Sequence, residues 1–158
     1  MTRSTLVGLA LLACACSNDA PARHLGGAYD GNGSVVATVD GAPSGLVGAT
    51  AVHVLIDDNG FVEEKGTMTI ALAPDCSLAA DYVSVDTGAA TASIASAQTC
   101  KLPVDDGFVV FTVASGHASV SAGNALDLTL AGTLTSWQGE TKQGSVSFTF
   151  RGASSGPG

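Results

Sequence analysis

The chain has 158 residues, 46% of them hydrophobic, with 14 Asp and Glu against 6 Lys and Arg and a formal net charge of −8. Basic residues this sparse exclude a nucleic-acid-binding surface, which needs clustered Lys and Arg to displace counterions, and they exclude electrostatic adsorption to anionic lipid. The acidic residues lie in turns rather than in runs, a distribution that serves solubility, and the length fits one domain with a core of its own.

The first element is Leu6 to Cys16, apolar and small throughout, preceded by Arg3, the only charge among the first eighteen residues. A positive start, a short hydrophobic run and small residues at a cut are the plan of a secretory signal. The run is well short of the roughly 20 residues that a membrane span requires. A cysteine stands where the cleavage site belongs: Leu11-Leu12-Ala13-Cys14. This tetrapeptide resembles the lipobox of bacterial lipoprotein signals, Leu-x-(Ala/Gly/Ser)-Cys. The resemblance covers the first sixteen residues and bears only on address and lipidation. It implies cleavage before Cys14, acylation of the new N-terminal cysteine by chains such as palmitate, and lipid anchoring in the bacterial cell envelope. Two or more chains give stable anchoring. Cys16 is the alternative, with only Ala13 in the leucine position; cutting there would leave two further cysteines instead of three. Ala15 or Ser17, not Asp, follows the lipidated residue, which in that family implies the outer membrane over the inner. Residues 1–13 are then the signal peptide, and 14–27 a lipidated tether without periodicity. The mature chain of 145 residues, having lost Arg3, carries a charge near −9.

Residues 28–152 read as an all-β domain, because from Tyr29 onward the hydrophobic period is two with turn signals between runs. Val35, Ala37 and Val39 share a face, and Asp40-Gly41-Ala42-Pro43-Ser44-Gly45 ends that run. Val52, Val54 and Ile56 follow, stopped by Asp57-Asp58-Asn59-Gly60, a hairpin signal. Phe61 to Leu72, Cys76 to Val85 and Ala90 to Cys100 come next, then Phe108 to Ser121 with a bend or bulge expected at Gly116. Leu126, Leu128 and Leu130 make the clearest alternation; Ser136 to Gly144 reads as a polar loop, and Val146, Phe148 and Phe150 close the domain before a frayed tail, 153–158. Eight strands joined by short connections predict an antiparallel up-and-down meander closing into a barrel, with a two-layer sandwich as the alternative.

Cys76 and Cys100 flank the proposed hairpin symmetrically about Gly88, so a position sum of 176 pairs them across strands. The same parity puts Leu78, Ala80, Ala92 and Ile94 on their face, which makes an inward disulfide in an oxidising compartment. A redox role lacks Cys-x-x-Cys and an adjacent His or Lys.

No residue set predicts catalysis, a metal or a cofactor. Asp57 to Glu64 departs from the spacing of a calcium loop and reads as a turn, as does Tyr29-Asp30-Gly31-Asn32-Gly33. His24, His53 and His117 are solitary, no Gly-x-Ser-x-Gly occurs, and Ser115 and His117 merely share a strand face. Two features point to binding. The strand Ala90 to Ala97 offers small side chains that could leave an apolar cavity, and Trp137, the only tryptophan, could anchor a partner or cap the barrel mouth. The expectation is a membrane-anchored, non-enzymatic binding module. The alternatives are a lipocalin-like carrier of a small apolar ligand, or an inhibitor of a secreted hydrolase that uses the loop around Trp137.

Overall fold

The computed structural model describes residues 24–59, 66–85, 89–104, 107–121 and 123–156, without the side chains of 43–51. The lipidation candidates Cys14 and Cys16 lie outside the described residues. Nine strands and no helix occur among them: β1 (Gly27–Val39), β2 (Ala42–Asp57), β3 (Thr67–Ala73), β4 (Cys76–Val85), β5 (Ala90–Ile94), β6 (Thr99–Val104), β7 (Gly107–Val120), β8 (Ala125–Trp137) and β9 (Glu140–Gly156). All pairings are antiparallel. The order is β5-β4-β3-β2-β1-β9-β8-β7, and β5 returns to β7, which closes an eight-stranded barrel. The closure decides against the sandwich.

β6 is the extra strand, and it arises from a break in the fifth predicted one. β5 pairs with the second half of β7, from Ala90 opposite Val120 to Ile94 opposite Gly116. β6 pairs with the first half, from Thr99 opposite Thr112 to Val104 opposite Gly107. The intervening Ala95–Gln98 bulges outward, with Ala97 at φ 64°. The Gln98 side chain mends the gap toward β4: Oε1 accepts from the Ala79 amide at 2.7 Å, and Nε2 donates to the carbonyls of Ala79 and Ala95 at 3.0 and 2.8 Å.

Inward and outward residues alternate along the described strands, apart from the bulges. Leu126, Leu128, Leu130 and Leu134 of β8 and Val146, Phe148 and Phe150 of β9 lie in the core with Phe111, Ile70 and Met68. Thr129, Thr133, Ser145, Ser147, Thr149 and Arg151 face outward and are exposed. This is the reverse of a membrane-spanning barrel, whose outer band is apolar.

Several boundaries differ from expectation. Tyr29 to Gly33 is not a turn but part of β1, whose Gly31 lies opposite Gly152 of β9. A Cβ on Gly31 would strike the Arg151 carbonyl, and one on Gly152 would meet the Asp30 carbonyl at 2.8 Å, so glycine on both sides permits this crossing. The expected loop Ser136–Gly144 shrinks to the two-residue turn Gln138-Gly139 between Trp137 and Glu140. Both turn residues have positive φ, 49° and 85°, as do Asp40 and Gly41 in the β1–β2 turn. β9 runs to Gly156, so 153–156 is paired strand rather than tail. The β7 bulge lies at Ala114, two residues before Gly116.

Cys76 and Cys100 form the inward disulfide, with Cα atoms 4.4 Å apart. Leu78, Ala80, Ala92 and Ile94 share its buried face as predicted. The position sum of 176 holds beside it, where the Lys101 amide donates to the Asp75 carbonyl at 3.1 Å. Beyond the bulge the β4–β5 ladder shifts to 174 and 175.

Candidate functional site

Strand length builds the site. β2 has 16 residues and β3 has 7, so they pair only from Leu55 opposite Ala71 to Asp57 opposite Thr69. The chain turns back at Pro74-Asp75, part-way up the wall. Below that level eight strands surround the core. Above it β2, β1, β9, β8, β7 and β6 remain, and no ladder joins β2 to β6 among the described residues. The seam between those two edges opens sideways into a cavity of about 460 Å³.

Its walls come from Val35 and Phe148 in the floor, Val52 and His53 on β2, Leu72, Ala73 and Pro74 at the hairpin tip, and Leu102, Pro103 and Val104 on β6. Every described lining residue except His53 is apolar. His53 Nδ1 lies 2.6 Å from Asp30 Oδ1 on the outer wall, where both side chains are more than half exposed. The bonds from His53 and then Ser155 hold the Asp30 carboxyl below its ordinary range. A carboxylate can only accept, so Nδ1 carries the hydrogen and Nε2 is the ring's remaining acceptor in its neutral form. No hydroxyl or thiol bonds to this ring among the described residues, so the pair lacks a nucleophile.

A second polar cluster closes the opposite, lower mouth. Leu25, read as tether, is fully buried there. Its amide donates to the Tyr82 hydroxyl and its carbonyl accepts from the Tyr29 hydroxyl, both at 2.8 Å. Asp58 Oδ2 accepts from the Tyr82 hydroxyl at 2.8 Å and the Gly26 amide at 3.0 Å, and lies 3.0 Å from His24 Nδ1. Burial pushes the Asp58 carboxyl up, but these bonds outweigh it and hold the group below its usual range. Burial, with Asp58 nearby, pushes the Tyr29 phenol up to about 12; Tyr82 is raised chiefly by burial as well. The expected turn at Asp57–Asn59 is present, with the Asn59 amide donating to Asp57 Oδ1 at 3.0 Å; Gly60 to Glu64 lies outside the described residues.

This latch predicts a stability plateau with two edges. The depressed Asp58 value adds stability above the unfolded carboxylate pKa of about 4, which is lost as pH falls through the folded value. The raised Tyr29 value adds stability below about 10, which is lost as pH rises toward 12. Thermal midpoints measured from pH 2 to 12 should trace both edges, with a shallower acid edge in Asp58→Asn.

The remaining sequence-selected residues are spread apart. Ala90, Ala92 and Ile94 are packed into the closed half of the core, so the cavity does not form against that strand. Trp137 ends β8, partly buried against the core rather than standing in a polar loop. Ser115 and His117 are exposed on the outer wall of β7 without a bond to each other. His24, His53 and His117 occupy three separate regions, and no group of three or more His, Cys, Asp or Glu side chains comes together among the described residues. Comparison with protein families, with curated proteins and with solved structures found no match.

Proposed function

We propose that this chain is a lipid-anchored binding protein of the bacterial cell envelope that carries a small apolar ligand in its side-opening cavity. The observation that carries the reading is the cavity itself: about 460 Å³, lined among the described residues by nine apolar side chains and one histidine, within the roughly 300–1,000 Å³ of small-molecule sites. A packed barrel of this strand number needs no such space, because its interior is just wide enough for side chains to fill. The lipobox-like Leu11-Leu12-Ala13-Cys14 supports the anchoring half of the proposal. The reading is binding rather than catalysis: His53, oriented by Asp30, has no hydroxyl or thiol bonded to it among the described residues. For the hydrolase-inhibitor alternative, Trp137 stands partly buried at the end of β8 rather than in a long loop.

The test is direct titration with N-phenyl-1-naphthylamine, a neutral dye that brightens in apolar sites. Wild type should bind it, and Val104→Trp, which places a large ring from a buried cavity-lining position, should weaken binding at least tenfold without lowering the melting midpoint. Dye affinity unchanged by Val104→Trp removes the cavity as the site. Mass spectrometry of membrane-extracted protein should show an acylated Cys14 or Cys16.

A further inference from the structure

The apolar cavity fixes the body of a ligand but not its head, and the polar groups at the mouth bear on that choice. We propose that the ligand is a neutral amphiphile with an apolar body and one hydrogen-bond-donating head, such as a long-chain alcohol, whose hydroxyl donates to His53 Nε2. The proposal rests on the cavity being the ligand site and adds the chemistry of its entrance.

Three observations lead there. His53 is the only polar residue among the described residues lining the cavity, and its side chain stands on the outer wall, at the mouth rather than the floor. Its ring is oriented by Asp30 at 2.6 Å, which commits Nδ1 as donor and leaves Nε2 to accept. The mouth disfavours an anion: Asp30 lies beside the ring, and Asp75 stands at the hairpin tip next to cavity-lining Pro74. Lys101, next to cavity-lining Leu102, is engaged with Asp75 at 3.0 Å. The formal charge of −8 adds a repulsive field for any carboxylate-headed ligand. That field would draw a cationic head toward the protein, but the described walls of the cavity hold no carboxylate to pair with it once inside.

The experiment displaces bound N-phenyl-1-naphthylamine from the full chain with 1-decanol, methyl decanoate and decanoate at pH 8. The three share a chain of similar length and differ in the head: donor, neutral acceptor and anion. Wild type should prefer decanol over methyl decanoate by about three- to tenfold, the size of one net hydrogen bond, with decanoate weakest. The ratio of displacement constants is read within each variant, so that altered dye affinity cancels. His53→Phe should bring the decanol-to-ester ratio close to one, and Asp30→Ala should reduce it by freeing the ring. Equal displacement by alcohol and ester in wild type overturns the proposal, as does a preference that survives His53→Phe; dye binding lost with Val104→Trp would leave the cavity reading standing in either case. Failure of the dye to bind at all overturns both readings together.

Discussion

Cys76→Ala combined with Cys100→Ala should lower stability by about 3–4 kcal/mol. The bond closes a loop with a sequence separation of 24, and constraint of the unfolded chain supplies most of that figure in the entropy model. Both cysteines are fully buried, so the substitution also removes packed sulfur from the core. The bond sits at the hairpin tip, where the top of β4 otherwise holds β6 through the Lys101 amide and the Asp75 carbonyl. Urea unfolding of the double variant against oxidised wild type measures the loss. Adding reductant to wild type should reproduce it and leave the variant unchanged. A loss below about 1 kcal/mol would show that the barrel holds β4 to β6 without the staple.

Leu25→Ala should cost about 2–4 kcal/mol, the range for deleting a large buried aliphatic side chain. Leu25 fills the lower mouth with no exposed surface, and the chain on either side of it is fixed by Tyr29, Tyr82 and Asp58. Truncation leaves a void beneath hydroxyls and a carboxylate whose geometry depends on that plug. Hydrogen exchange separates the plug from a generic core residue. The Leu25 and Gly26 amides, which donate to Tyr82 and Asp58, should lose protection ahead of the β8 and β9 amides. Equal loss everywhere would mean that the plug and barrel unfold as one unit.

Much of the wall was legible in the sequence because alternation reports directly on inward and outward faces. Val52-Val54-Ile56, Leu126-Leu128-Leu130 and the shared face of Cys76, Leu78, Ala92 and Ile94 all stand where the period of two put them. The misread stretches failed for reasons held in other strands. Gly31 and Gly33 look like turn residues until Gly152 and Phe148 come against them across the sheet. Glu140 to Gln143 is too polar to read as strand, yet the Gln138-Gly139 turn returns it beside β8. Leu25 looked like spacer because a single apolar residue has no period, and the hydroxyl that takes its amide, Tyr82, lies 57 positions away. The cavity had no local signature at all. It comes from the mismatch between a long β2 and a short β3–β4 hairpin, and the small-residue run at Ala90–Ala97 drew attention to the wrong half of the core.

The change from eight staves to six part-way along the cylinder gives its two ends different mechanics. The lower end is hooped all the way round by ladders, so it keeps its girth. Among the described residues the upper end is a split sleeve, with no rung between β2 and β6 to break if the two spread apart. On the proposed carrier reading, a guest enters through that widening, at a rate set by the spreading rather than by global unfolding.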